Sequence, residues 1–362
     1  MSVVRSLVRC ALGLAVLLGL GPGGARPARA VVFHGTANPA YNTNAPGGTL
    51  TNSGWQYVGF WNSYVGTLVG PRHFLTARHI GGQVGDPFFF QGRTYTTLAF
   101  VDDPAGDLRL VQVCGTLPAP HAPLYTNFNE TSKSVVVMGR GTQRGAEVRV
   151  GGVLKGWEWG PLDGVLRWGE NRIVGPVPSG STNFLQSNFD ATGGSNEVHL
   201  SNGDSGGPLF IKEGADWKLA GVNYAVEGPF NLASSGDGFY GALFDKGGLH
   251  YFSDSAQAWV LIPDQVSNLP SAFYATRVSL RVPWIQSVLA QPVPPDPAPS
   301  LESADSLGGS FSAEPAAVVN PTDRTITVPV AGPRRFYRLS GCGPYRLRTV
   351  ATGPSGVVLA YE

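Results

Sequence analysis

The chain has 362 residues, a length that fits one large domain or two to three ordinary ones and that buries a core without disulfide staples. Charged residues make up only 14%, against 49 Gly and 29 Pro, which suits a turn-rich β protein and argues against a helical bundle. A formal charge of +1 offers no basic excess for holding nucleic acid.

The first thirty residues read as a signal peptide rather than as part of the fold. Arg5 and Arg9 give a basic start, Cys10 to Leu20 is an apolar run too short for a comfortable transmembrane helix, and Ala28-Arg29-Ala30 fits a small-x-small cleavage site. Cleavage after Ala30 is expected, with export to the periplasm or the extracellular space; a retained N-terminal anchor is the weaker alternative. Removal of residues 1–30 takes away four Arg and leaves 22 basic against 25 acidic side chains, a formal −3. No later apolar run is long enough to span a membrane, so stable membrane insertion is not expected. Cys10 leaves with the signal. Cys114 and Cys342 fall in different domains, so a disulfide between them is not expected, although export would permit one.

From residue 55 to 115 the chain reads as short strands. Tyr57 to Phe60, Val65 to Val69, His73 to Thr76, Phe88 to Phe90, Tyr95 to Val101 and Leu108 to Val113 are aromatic or β-branched runs punctuated by Gly, Pro and Asp. This spacing predicts an all-β barrel or sandwich. Further strand sets follow from Lys133 to Leu166 and from Pro208 to Val226. Helical periodicity emerges only at Val282 to Ala290, where Pro283 fits a first turn and Trp284, Ile285, Val288 and Leu289 form one face. Five prolines in residues 291–300 mark a stiff linker after a domain of residues 31–290. Beyond it, alternation at Ile326, Val328 and Val330, and at Tyr337 and Leu339, predicts a small β module over 301–362, near the lower size for independent folding. Its arginines, among them Arg338, Arg346 and Arg348, read first as a solvated strand face, with surface or matrix contact as the alternative.

Three segments carry chemistry. Asn202-Gly203-Asp204-Ser205-Gly206-Gly207-Pro208 surrounds a serine with glycines, which let amide hydrogens converge on one point and leave room for a carbonyl. Taken alone it also reads as a Gly-rich turn. Leu75-Thr76-Ala77-Arg78-His79 ends a β-rich run on a histidine, the side chain that ordinarily titrates near neutrality. Gly106-Asp107-Leu108-Arg109 opens a strand with an aspartate, a common turn residue, and Asp102 and Asp103 are its neighbours and competitors. The histidines are scattered and no Cys/His pair has ligand spacing, so neither a metal nor another cofactor is expected.

Together these segments resemble the chymotrypsin/trypsin family of serine proteases, whose chain order is His, Asp, Ser. Gly66-Thr67-Leu68-Val69 with Leu75 to His79 resembles the strand pair leading to its histidine, and Asp107 to Leu110 its aspartate strand. Gly203 to Pro208 matches its nucleophile loop. Leu219 to Tyr224 resembles the strand that lines the cleft, and Phe273 to Ser279 followed by Trp284-Ile285 resembles the closing strand and terminal helix. Gly238-Phe239-Tyr240 is a rival for the closing strand; the later segment is preferred because the helix follows it, which makes 227–269 an insertion. The family's usual half-cystine after the histidine is replaced by Ile80, and Arg78 stands where alanine is usual.

The resemblance implies two six-stranded antiparallel β-barrels with a C-terminal helix, and a polypeptide substrate. It implies His79, Asp107 and Ser205 as the triad and the Gly203 and Ser205 N–H groups as the oxyanion hole. It puts His199 near the base of the primary pocket and Asn223, Tyr224 and Ala225 along its wall. No carboxylate stands at the base, which argues against a Lys or Arg preference. His199 admits two readings: a charge-assisted bond to an acidic side chain, or packing against loop backbone beneath an apolar pocket, the preferred one. The family's freed N-terminus suggests an ion pair between Val31 and Asp204 after signal cleavage. The competing functions are a catalytically silent binding or adhesion protein on the same fold, and an esterase using the same triad.

Overall fold

The computed structural model describes residues 31–180, 182–293, 296–329, 335–342, 345–354 and 356–362. The signal-peptide expectation falls on residues 1–30, outside the described residues, as do Val330 and Arg334.

Two closed antiparallel barrels of six strands form the body of the molecule. The first is built from Val58–Trp61, Tyr64–Gly70, His73–Ala77, Pro87–Phe90, Arg93–Asp102 and Leu108–Val113, close to the six runs expected from the sequence. Its alternating residues point inward because successive side chains of a strand face opposite sides. Trp61, Leu68, Phe74, Phe88, Tyr95 and Leu110 fill the interior, and Phe74 stacks on Phe88 with ring centroids 4.0 Å apart.

The second barrel uses Ser134–Gly139, Arg167–Ser179, Thr182–Asn188, Pro208–Glu213, Asp216–Val226 and Ala272–Arg277. Ala272–Arg277 lies between Thr182–Asn188 and Asp216–Val226 and closes the barrel. The rival segment Gly238-Phe239-Tyr240 stays outside the barrel: Phe239 bridges Phe230, and Gly241–Leu243, directly after it, adds to the hairpin of Thr142–Val150 and Val153–Leu162 as a three-stranded sheet. The rest of the 227–269 insertion carries its own small sheet of Phe230–Asn231, His250–Ser253 and Ala258–Leu261. The helix Val282–Leu289 follows the closing strand with Pro in its first turn. Val282, Ile285 and Val288 bury its apolar face in the first barrel's core. Among the described residues no helix is long and apolar enough to cross a membrane.

Beyond the Pro-rich segment, three strands (Ser300–Ala304, Ser312–Ala313 and Phe336–Ser340) form one sheet and four (Val318–Asn320, Thr325–Val328, Leu347–Gly353 and Gly356–Tyr361) form another. Leu301, Ile326, Val328, Leu359 and Tyr361 make their shared core.

One expectation is corrected here: Cys114 and Cys342 form a disulfide, with Cα atoms 5.6 Å apart across a separation of 228 residues. Polar contacts in the linker explain how two remote segments meet. The Asp296 carboxylate pairs with Arg72 and accepts the Gly115 N–H at 3.0 Å, one residue from Cys114. The Tyr345 hydroxyl donates to the Pro297 carbonyl at 2.7 Å and turns the module back on the linker. Cys114, Asp296 and Cys342 are also the one cluster of potential metal ligands among the described residues, but both sulfurs are committed to the bridge.

Candidate active site

Each barrel contributes part of the site at the seam between them. In the first, the strand His73–Ala77 pairs with Leu108–Val113, and Ala77 sits opposite Leu108. That register brings the residues following one strand beside those preceding the other. The Arg78 N–H donates to the Asp107 carbonyl at 2.9 Å and the His79 N–H to Asp107 Oδ1 at 3.0 Å. The carboxylate's other oxygen, Oδ2, lies 2.5 Å from His79 Nδ1. Asp107 is buried, whereas the competitor Asp103 is committed to an ion pair with Arg281 at 3.0 Å. Asp102 pairs with Arg109 at 2.6 Å.

From the second barrel, the loop before Pro208–Glu213 presents Ser205. Its Oγ stands 2.8 Å from His79 Nε2, so the three side chains form one hydrogen-bonded chain across 126 residues of sequence. The loop's shape depends on glycine. Gly206 has φ +81°, and a Cβ there would lie 2.3 Å from Thr76 Oγ1. Gly203 has φ +93°, and its added Cβ would meet Leu162 at 2.7 Å. Both positions sit in the left-handed region that a side chain opposes. Strand end and loop are stitched together by Gly206 N–H to the Asn223 carbonyl at 3.0 Å and Asn223 N–H to the Gly207 carbonyl at 2.7 Å.

Asp204 turns away from the nucleophile into the interior. Its fully buried carboxylate accepts the Gly141 and Ser201 N–H groups, each at 2.7 Å, and the Ser201 hydroxyl at 2.8 Å. The Val31 backbone N–H is a further donor to it. Burial pushes this carboxyl up to about 6, with the hydrogen bonds opposing. Val31 is wholly buried, and Val32 and Phe33 pair with His199 and Val198. The Arg144 guanidinium lies 3.7 Å over the Trp157 ring and donates to the Phe33 carbonyl at 2.7 Å, clasping this N-terminal strand under the 142–162 hairpin. No local motif signals that hairpin's part in holding the strand, because the contact joins segments more than 100 residues apart. Beside it, burial raises Glu197 to about 8; Asn171 Nδ2 and the Asp190 N–H donate to its Oε1 at 3.0 and 2.9 Å.

The residues expected to line the pocket separate into two groups. Tyr224 stands at the site, edge-on to the His79 ring at 5.5 Å and stacked on Phe184 at 4.5 Å. Ala225 is partly exposed beside it. Asn223 points inward, donating to the Met138 and Asp204 carbonyls at 2.9 and 3.1 Å. His199 is fully buried: Nδ1 bonds the Leu200 carbonyl at 2.7 Å and Nε2 faces the Ser271 hydroxyl at 3.3 Å. Burial lowers it to about 4, so at neutral pH it is uncharged, packed against Phe189 and Phe273, and offers no charge to an acidic side chain.

Two six-stranded barrels with a Ser–His–Asp chain at their seam define the chymotrypsin-like class of protein. Residues 47–231, just over half of the chain, match the Trypsin family model, and the chain belongs to that family. Among solved structures it is similar to neuropsin, a serine protease expressed in the limbic system of mouse brain, at 16% identity and a TM-score of 0.40, covering 66% of this chain and 95% of that one. It is also similar to the inactive form of a serine-to-alanine mutant of Rv3671c from M. tuberculosis H37Rv, at 16% identity and a TM-score of 0.39, covering 69% and 98%. No curated protein matches the chain.

Proposed function

We propose that this chain is an exported serine endopeptidase that cleaves peptide bonds through an acyl-enzyme. The observation that carries the reading is the continuous chain Asp107–His79–Ser205, with spacings of 2.5 and 2.8 Å. Ser205 Oγ attacks the carbonyl carbon as its proton passes to His79 Nε2. Asp107 holds the ring with Nδ1–H toward itself and stabilises the imidazolium. The tetrahedral oxyanion is received by the Gly203 and Ser205 N–H groups, each such donor being worth roughly 10²–10³ in rate. Collapse expels the amine, which takes the proton from Nε2; water then repeats the sequence on the ester and restores Ser205.

Export is supported by the basic-apolar start of the sequence and by the Cys114–Cys342 bridge, a bond that persists in oxidising compartments. The contact of the Val31 N–H with Asp204 supports maturation by signal removal: cleavage after Ala30 turns that N–H into an ammonium facing the buried carboxylate. A mature protein retaining a Gly-Ser extension before Val31 is expected to lose activity; equal activity would remove the ion pair from the scheme.

The reading as a whole is tested by labelling the mature protein with a fluorophosphonate, beside Ser205→Ala. Labelling that disappears in the variant, with turnover of a peptide as well as of a simple ester, supports it. A folded wild type that does not label favours a silent binding protein, and turnover of the ester alone favours an esterase.

A further inference from the structure

We propose that Asn202 is a site of spontaneous modification that silences the active site: its side-chain amide closes onto the Gly203 nitrogen, the same nitrogen that donates to the oxyanion. The silencing rests on the serine peptidase reading; the modification itself does not.

Asn202-Gly203 is the one Asn-Gly pair in the 362 residues. An asparagine side chain can close a five-membered ring with the backbone nitrogen that follows it, and a glycine in that place leaves the nitrogen uncrowded. The pair sits in the nucleophile loop, with Asn202 exposed. Among the described residues no partner holds the Asn202 amide, whereas Asn62 donates to Asp86 at 2.8 Å and Asn223 to two carbonyls. On either side the loop is pinned. The Ser201 N–H donates to Asp204 Oδ2 at 2.7 Å, the Asp204 N–H to the Ser201 carbonyl at 3.2 Å, and the Gly207 N–H to the Asp204 carbonyl at 3.1 Å. The Gly203 N–H has no acceptor among the described residues, which leaves it free for an oxyanion and equally for this reaction.

The Gly203 nitrogen gives up its hydrogen to solvent base and bonds to Asn202 Cγ. The bond from Cγ to the side-chain nitrogen breaks, and ammonia leaves with a proton from water. Water then opens the cyclic imide at either carbonyl, giving Asp or the β-linked isomer, whose main chain runs through the side-chain carbon. The net change is amide plus water to carboxyl plus ammonia. While the imide is closed Gly203 has no N–H, and losing one such donor costs roughly 10²–10³ in rate. The β-linked product regains the N–H but adds a carbon to the main chain before Gly203. Little room exists for it: a Cβ built on Gly203 would meet Leu162 Cδ1 at 2.7 Å and the Gly141 Cα at 3.0 Å, and the Asn202 carbonyl lies 2.4 Å from a Cβ built on Gly141. Close-packed neighbours turn that added length into displacement of the donor. The Asp product keeps both its backbone and its donor.

The test begins with mature Ser205→Ala protein, which cannot cleave itself, incubated in warm, mildly alkaline buffer. Peptide mapping by mass, with an isoaspartyl methyltransferase to report the β-linked product, should find Asn202 converted ahead of every other asparagine. In wild type aged in parallel, fluorophosphonate labelling and peptide turnover per intact chain should fall in step with the imide and β-linked content, molecules so changed being at least about 10²-fold slower. Asn202→Asp, which carries the new charge on an unaltered backbone, should stay far more active than these. Asn202→Gln, whose longer side chain does not close the five-membered ring, should keep its starting activity through the same incubation; if it does not fold, the wild-type correlation decides alone. Asn202 left unconverted overturns the modification. Activity that stays level as the β-linked content rises, or an Asn202→Gln protein that fades at the wild-type pace, overturns the silencing. Fresh wild type that neither labels nor cleaves peptide removes the peptidase reading and the silencing with it, while the mass analysis still decides the modification.

Discussion

Protonation of His199 offers a quantitative check on the buried architecture behind the site. The imidazole has no solvent exposure, and burial depresses it from 6.5 to about 4, while backbone groups of Leu200 and Ala272 partly oppose the shift. Because the folded state holds this group neutral, it binds fewer protons than the unfolded chain between those two values. Stability from this source is therefore complete above about pH 6.5 and drains away as pH falls toward 4. A difference of two to three pH units at about 1.4 kcal/mol each amounts to about 3 kcal/mol. His199→Gln removes the titration and keeps a polar side chain beside Ser271. Urea unfolding by tryptophan fluorescence, in a Ser205→Ala background that suppresses self-cleavage, should be compared between about pH 7.5 and pH 4. His199→Gln is expected to be less stable at the upper pH and to close the gap by about 3 kcal/mol at the lower one, since all other titrations cancel in the difference. Parallel pH dependences in the two proteins would refute the buried neutral histidine.

Three further outcomes follow from particular contacts. Asp107→Asn should keep the fold and lower kcat by about 10⁴-fold, through loss of the tautomer that points Nε2 at Ser205, measured on a peptide substrate. Arg277→Met strips the partner from Glu130, which is 1% exposed and accepts from Arg277 at 2.8 and 2.7 Å and from Ser279 at 2.6 Å. A loss of about 3–5 kcal/mol is expected in urea unfolding, partly recovered by adding Glu130→Gln, and an unaffected midpoint would show the pair to be incidental. Cys114→Ser with Cys342→Ser, or reduction of the wild type, should lower the thermal midpoint and expose the linker to added protease while fluorophosphonate labelling persists; disulfides closing long loops contribute up to about 5 kcal/mol.

Much of this molecule is legible in its sequence. The first-barrel strands follow from alternating aromatic and β-branched residues between Gly, Pro and Asp, because strand periodicity is written into adjacent positions. His79, Asp107 and Ser205 stood out through local motifs in a telling order. The preference for Phe273 to Ser279 over Gly238-Phe239-Tyr240 held because the helix Val282–Leu289 begins directly after the closing strand and packs its apolar face on the first barrel.

What the sequence by itself determined was therefore what neighbouring residues dictate: strand periodicity, turn chemistry, the glycines of the nucleophile loop and the helix start at Pro283. Tertiary structure alone decided the rest, because it depends on which distant surfaces meet. Cys114 and Cys342 are joined since Asp296 and Tyr345 fold the linker and module back onto the first barrel. His199 belongs to the interior since Val32 pairs with it and Phe189 and Phe273 enclose its ring. Asp204 meets Val31 since the hairpin of 142–162 clasps the N-terminal strand beneath it. Local pattern specifies an element; burial and charge at a site are set by the packing of elements far apart in the chain.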